Sequence, residues 1–503
     1  MSCVAELMPE NCGLSYLFRF LSFIGLCLCI ALMFISSWYY TIVAWVIAGA
    51  IYKYIEYRGA SKEWGDATRG LQMSTAMRAI LKLGVKPVHA KNWRPQILVY
   101  LTLDQNLQVR HDRLLDLVYQ LKAGHGLTLV VSILEGDVME RKEDALQAKA
   151  YLSEVIQKYR IRGLPEVLVA ENIGEGMKNM AQCAGLGNLR HNTLMLSFPE
   201  DWRMDRQHGG KKMSQFISTV RAAQACGLAM LVPKGIDTFP KSRSERMAGS
   251  VDVWCIVHDG GLLLLTSYLL MRNCAWRKCD LRIFVVASEG DDTVNLKKDM
   301  TKFMYDLRIN ASVEVVAMST ADISAYVAQR TATMEQRKMM LIQMKLSNNE
   351  ARRDPQHIVD QHRKSISSSD FHDVRSNVNT KKSSIPNTAT RSTVIPIVLN
   401  DSESAQWDRE WNGLSATYSD CDFRLFPCSS KTIRHLHCSS RLNELLRTHS
   451  SEADLVIVNM PNPSRSPESD YYYMDYVELL TEGLPRVLLV RGTGCEVITA
   501  FSE

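Results

Sequence analysis

From Phe20 to Tyr52 the chain carries no charged residue, and this run constrains the fold more than any other feature. Backbone amides in hydrocarbon must bond internally, and a helix crosses a bilayer in about 20 apolar residues. The run is too long for a single crossing. It divides at "SSWYY", Ser36 to Tyr40, which predicts a transmembrane hairpin over 16–55 with helices at 16–35 and 39–54. Ser36 and Ser37 suit a turn, and Trp38, Tyr39 and Tyr40 suit the water–lipid boundary. Ala44, Ala48 and Gly49 would let a partner helix approach closely. A cleaved leader fits poorly, because Glu6 and Glu10 stand where a basic segment belongs.

The flank that follows sets orientation. Between Lys53 and Arg94 there are nine Lys or Arg against three Asp or Glu, so this side is expected to face the cytosol, with both termini. Residues 56–95 read as an amphipathic connecting segment.

Behind it lies a chain patterned like a cytosolic α/β domain. "QILVYLTLD" (96–104), "LTLVVSILEG" (127–136), "EVLVA" (166–170) and "NTLMLSF" (192–198) are apolar strands, and helical stretches lie near 114–122, 144–159 and 175–183. Further on come "DVWCIVH", "LRIFVVA" and "VEVVAM". Continuous apolar strands alternating with amphipathic helices predict a doubly wound, mostly parallel sheet covered on both faces. The first part of this domain is expected over 96–346. In 361–394, fifteen of 34 residues are Ser, Thr or Asn, so 347–432 reads as a disordered regulatory insert. Residues 433–503, with "RLNELLRTHS", "DLVIVNMP" and "RVLLVRG", are expected to close the same fold.

With 503 residues the chain has room for roughly three domains, and its net charge of +5 gives no reason to expect nucleic acid. The 13 cysteines show no zinc-type spacing and read as reduced, buried thiols; no metal site is expected.

Ligands of open parallel sheets sit beyond the carboxyl ends of strands. Tyr100 and Thr102 on the first strand, Ile133 on the second and "SFPED" after the fourth mark three such ends, and Arg110 follows closely as a phosphate-binding side chain would. A nucleotide pocket and ordinary strand-end residues both fit, since no GxGxxG or Walker loop is present. Gly185 and Gly187 read as caps of the preceding helix. "CIVHDGG" sets Cys255 and His258 three apart, on opposite faces of a strand, and Asp-Gly is a turn signal. No nucleophile–base pair emerges, so a membrane-tethered hydrolase trails the other readings. "MEQRKMMLIQMKLS" reads as a surface helix before a calmodulin-type target. Ser365, Ser367, Ser368 and Ser369 stand beside Arg363 and Lys364, as phosphorylation sites in a flexible segment would.

Several long motifs resemble one family. "ALMFISSWYYTIVAWVIAGAIYKYIEYRGASKEWGDATRGL", "KNWRPQILVYLTLD", "VWCIVHDGGLLLL", "WRKCDLRIFVVA", "DISAY" and "EGLPRVLLVRG" look like the C-terminal half of the cation–chloride cotransporters. "QLKAGHGLT" and "MEQR" are closer to the potassium–chloride branch. The resemblance runs from about Leu21 to the end, apart from the insert. It implies that the hairpin corresponds to the last two membrane helices of an electroneutral symporter of the plasma membrane. Residues 1–15 match nothing in the family, which points to a truncated isoform or an incomplete gene model. The family's ion sites lie on earlier helices, so the chain alone is expected not to carry potassium or chloride.

Carried over by position, family contacts to a regulatory adenine nucleotide, ATP or ADP, fall on Tyr100, Thr102, Arg110, Ile133, Ser197, Phe198 and Glu200. Thr102 replaces an expected lysine, and Glu200 adds negative charge near phosphates. A threonine phosphorylated in relatives aligns with Cys438 in "LHCSSRLNE", moving any such control to Ser439 or Ser440. The implied partners are membrane lipid, a second copy or a related cotransporter, and regulatory kinases and phosphatases. The second reading is a nucleotide-binding regulatory subunit that docks on a full-length cotransporter.

Overall fold

The computed structural model describes residues 12–58, 67–85, 93–121, 126–187, 189–242, 244–256, 261–288, 292–318, 430–463, 467–494 and 496. The chain forms two compact units, Met1–Val85 and Lys86–Glu503. The reading of "MEQR", most of the insert, His258 and Ser365–Ser369 lie outside the described residues.

The first unit holds helix α1, Cys12–Arg58, and helix α2, Ala67–Val85. Its apolar stretch Phe20–Tyr54 is long enough to cross a membrane. Helix α1 is broken at Ser37, whose φ of −167° and ψ of 102° are extended. The Thr41 hydroxyl lies 2.8 Å from the Met33 carbonyl, eight residues back. In a straight helix the rise over eight residues is about 12 Å, so the chain bends sharply at Ser37. The rings of Phe34 and Trp45 meet edge to face at 6.4 Å between centroids, which needs the same bend. The break therefore falls inside the expected SSWYY turn. Phe23, Leu28, Ile35, Trp45 and Val46 all stand exposed, as lipid-facing side chains would.

The second unit is built on a ten-stranded sheet in the order β3-β2-β1-β4-β5-β10-β9-β6-β7-β8. The strands are β1 Ile97–Tyr100, β2 Thr128–Glu135, β3 Gly163–Ala170, β4 Thr193–Met195, β5 Ala229–Lys234, β6 Ser250–Cys255, β7 Asp280–Ser288, β8 Ser312–Met318, β9 Leu455–Asn459 and β10 Val487–Arg491. The helices are α3 Arg113–Gln120, α4 Lys142–Tyr159, α5 Ile173–Cys183, α6 Trp202–Gln207, α7 Lys211–Ala225, α8 Leu262–Met271, α9 Thr293–Asp306, α10 Ser430–Ser450 and α11 Pro467–Thr481. Helices α3, α4, α8 and α9 bury their apolar residues on one face of the sheet. Helices α5, α6, α7, α10 and α11 cover the other. Along β1, Ile97 and Val99 enter the first layer while Leu98 and Tyr100 enter the second, as pleating demands.

All the strand pairs are parallel except β5 with β10, where Leu489 faces Val232. That single antiparallel pair joins two halves of five strands. In the first half the order is β3-β2-β1-β4-β5, and in the second β8-β7-β6-β9-β10, the same winding repeated. The closing segment therefore supplies the middle of the sheet, not an edge.

Three expectations need correction. Helix α10 begins at Ser430, inside the expected insert, and Thr432 is already buried there. Strand β1 ends at Tyr100, so Thr102 lies beyond it. Cys255, Cys279 and Cys438 are buried thiols, but Cys27, Cys29, Cys183, Cys226 and Cys274 are free and exposed. Strand β5, passed over in the sequence, carries Pro233 in the middle of the sheet. The Pro233 carbonyl accepts from the Phe198 amide at 3.1 Å. Its missing N–H faces the same side, beyond Met195, the last paired residue of β4.

Candidate functional site

In the first half the strand order reverses between β1 and β4, which opens a crevice beyond their carboxyl ends. The chain leaves β1 through a compact loop. Asp104 accepts from the Asn106 and Gln108 amides at 2.9 and 2.8 Å, and Leu103 pairs with Val109. The Arg110 amide then donates to the Thr102 carbonyl at 3.0 Å. Thr102 and Arg110 are thereby held side by side, both exposed, at the end of β1.

Above them sits a chain of charges. Asp201, at the start of α6, accepts from Arg110 Nη2 at 3.5 Å and from Lys212 Nζ at 3.0 Å. The Lys212 bond, reinforced by the Arg110 charge, holds the Asp201 carboxyl below the usual carboxylate range. Lys211, the next cation, reaches Glu135 at the end of β2 at 2.5 Å. Both lysines open α7, whose N-terminal neighbour Gly210 has φ of 66°. A left-handed residue here favours glycine, and it turns the helix start toward the crevice rim. These contacts are about half-exposed, so salt screens them and each is worth little by itself.

Beneath this rim the other sequence-marked residues are part of the core. Tyr100 is buried, and its hydroxyl donates to the Met177 carbonyl at 2.5 Å. Burial pushes its phenol above the ordinary tyrosine range. Phe198 packs edge to face on Phe216, with ring centroids 5.8 Å apart. Ile133 lies under α5, where Gly176 is required because a Cβ there would come within 2.9 Å of the isoleucine methyl. Tyr100 and Phe198 share one apolar cluster, and Ile133 packs against it. Ser197 is half-buried at the end of β4.

Glu200 turns away from the charged rim. Its carboxylate accepts from the Gly235 amide at 3.1 Å, where β5 leaves the sheet. The structure thus brings Thr102 and Arg110 together at the rim and sets Tyr100, Ile133 and Phe198 below. The sequence reading missed Lys211, Lys212 and Glu135, and marked Asp201 only as part of "SFPED". The "GGKK" start of α7 was the available signal, but its carboxylate partners come from distant segments.

The remaining candidates separate cleanly. Cys255 is buried under α8 in the opposite layer from Trp254. Cys438 and Ser439 are buried in α10, whereas Ser440 is half-buried and borders a polar cleft of about 540 Å³ with Asn443, Arg447 and Glu482. Gly185, at φ of +111°, lies just past the end of α5, as a helix-terminating glycine would.

Comparison with known proteins gives one family. The family model for solute carrier family 12 matches residues 111–245, 236–381 and 400–502. Among solved structures, a crystal structure of a putative universal stress protein from Pseudomonas aeruginosa UCBPP-PA14 aligns over 81% of this chain and 97% of its own. It is 9% identical with a TM-score of 0.31, a likeness that carries no argument about fold or function.

Proposed function

Because the chain belongs to solute carrier family 12, the cation–chloride cotransporters, and is therefore a membrane protein, we propose that it forms the membrane-anchoring and regulatory part of an electroneutral potassium–chloride symporter. The carrying observation is the pairing of two parts in one chain. An apolar helix bent sharply at Ser37 precedes a ten-stranded α/β unit matched by the family almost throughout. The "QLKAGHGLT" and "MEQR" motifs support the potassium–chloride branch. The excess of Lys and Arg after α1 supports placing both termini in the cytosol, and the resemblance to the cotransporters supports the plasma membrane. In this role the sheet unit mediates dimer contacts with a second copy or a related cotransporter, and potassium and chloride pass only through the full transporter.

The crevice rim supports nucleotide control. Arg110, Lys211 and Lys212 are cations held by Asp201 and Glu135, and the phosphates of ATP or ADP would take those bonds over. Tyr100, Ile133, Ser197 and Phe198 form the floor on which the base would rest. Lys212 offers the charge that Thr102 lacks. Kinase control at Ser440 is favoured over Ser439 by exposure. The second reading, a regulatory subunit docking on a full-length cotransporter, draws on the same rim.

The deciding experiment is chloride-dependent rubidium uptake in cells expressing this chain alone and beside a full-length relative. No uptake alone with altered uptake together is the expected result. Robust uptake from the chain alone would overturn the assignment of this chain to a regulatory role. Unchanged uptake in both arms would refute the regulation itself.

A further inference from the structure

Helix α2, Ala67–Val85, is an element to which neither the sheet unit nor the symporter reading gives a task. It has no acidic residue in 19, and it carries Arg69, Arg78 and Lys82. Its apolar side chains are not spent on packing: Leu71 is 70% exposed, Met73 70% and Leu81 65%. At 3.6 residues per turn Met73, Met77, Ile80 and Leu81 share one face, while Gln72, Thr75, Arg78 and Lys82 share the opposite one. Leu71 falls between Arg78 and Lys82 on the cationic face and Leu83 at its border, while Arg69 falls beside Ile80 on the apolar face, where its long stem can lie along the acyl boundary with the guanidinium among the headgroups.

Only residues 59–66 separate α2 from the end of α1 at Arg58. Eight residues reach at most about 30 Å when fully extended. A helix so tethered is kept near the surface that α1 enters. An apolar stripe seeks the acyl boundary there, and a cationic stripe seeks anionic headgroups.

We propose that α2 lies flat on the cytosolic leaflet, with Met73, Met77, Ile80 and Leu81 in the acyl boundary and Arg78 and Lys82 against anionic phospholipid headgroups. The inference rests on the membrane anchoring of α1 proposed above. Its occupant is the bilayer surface itself, chosen over a second protein by the absence of acid in the helix and the short tether. A protein partner would need its own dense acidic stripe and would not exploit that tether. Docked in this way, α2 sets the height at which the cytosolic chain leaves the bilayer, and the leaflet's anionic content controls that height.

The test uses the full chain in phosphatidylcholine vesicles, with or without phosphatidylserine, whose acyl chains carry bromine close to the headgroup. An environment-sensitive fluorescent amino acid replaces Met77, Leu81, Gln72 or Thr75, one at a time. The expected result is a blue shift and bromine quenching at Met77 and Leu81 in phosphatidylserine vesicles, with neither at Gln72 and Thr75. At about 1 kcal/mol per cation near an anionic surface, R78Q with K82Q lowers the docked-to-free ratio about thirtyfold. A probe at Val43 in α1 reports insertion separately. Quenching at Val43 without quenching at Met77 would sink this proposal alone, and loss of both would sink the anchoring as well. Equal quenching on both faces of α2, or a photo-crosslinker at Met77 that joins two copies of the chain instead of lipid, would also overturn it.

Discussion

Asp252 is fully buried in β6, directly across the ladder from Arg282 in β7. Arg282 grips it with both arms of the guanidinium, Nε to Oδ1 at 2.7 Å and Nη2 to Oδ2 at 2.6 Å. The same Nη2 also donates to the Ser250 hydroxyl at 3.1 Å and to the His449 carbonyl at 3.2 Å, so the pair ties β6, β7 and α10 together. Asp252→Ala deletes the anion that Arg282 grips and leaves only the charge of Glu314 in β8 acting on it from farther off. Breaking one partner of a buried pair costs about 3–5 kcal/mol. The Arg282 side chain is 32% exposed and keeps two neutral acceptors, which brings the expected loss down to about 2–3 kcal/mol. Asp252→Ala with Arg282→Met should lose less than the sum of the single changes, with a coupling of about 1–2 kcal/mol. Urea unfolding of the detergent-solubilised chain reads this through Trp254, which neighbours Asp252 in β6 and stacks on Phe284 at 4.5 Å. A single mutant within about 0.5 kcal/mol of the parent, or a double mutant that is simply additive, would refute the claim that this pair holds the second half to α10.

Two further outcomes are expected. Arg110→Ala with Lys212→Ala should weaken ADP binding, measured by titration calorimetry, by at least about tenfold, since charge-assisted phosphate contacts are worth about 1.5–3 kcal/mol each; undiminished affinity would remove the rim from the nucleotide reading. His191 is buried, its Nε2–H facing the Ala181 carbonyl at 3.0 Å, and Nδ1 has no partner among the described residues. Burial lowers its pKa from the ordinary value of 6.5, so below that pH the unfolded chain binds the proton more readily. Stability therefore falls as pH drops from about 6.5, at up to about 1.4 kcal/mol per unit, and levels off beneath the folded-state pKa. His191→Leu should flatten that slope in denaturant titrations across the range, and an unchanged slope would assign the acid sensitivity to other groups.

What the residues disclose depends on the range of the physics. The apolar run and its Ser37 break were legible because membrane length and local turn chemistry act over a few tens of residues. Strands β2, β7 and β9 were legible as continuous apolar runs, since burial on both faces leaves no room for alternation. Strand β5 was not, because Pro233 argues against a central strand unless the end of β4 is known. The rim was half legible. Arg110 follows a strand end in the sequence, but the Asp201 and Glu135 partners of Lys212 and Lys211 are settled only when α7 returns to the sheet.

The repeated winding was the least legible feature, and pairing explains why. Strand β5 meets β10, and β6 meets β9, across separations set by Val232 with Leu489 and Val253 with Ile457. Nothing local can specify such partners, and any apolar run of the right length would satisfy the same slots. Ionic contacts on the α7–α11 face supply the selection. Arg221 grips Asp470, Arg206 meets Asp475 at 2.9 Å, and Lys234 meets Glu478 at 3.2 Å. Each joins a first-half cation to a carboxylate of α11. The first half can thus present its seam before the closing strands arrive, but β6 lacks its β9 neighbour until residues beyond 429 return. Closure over separations this large makes final assembly the slow step of folding. It also places the join between the halves, and not either half alone, under the control of the chain's last segment.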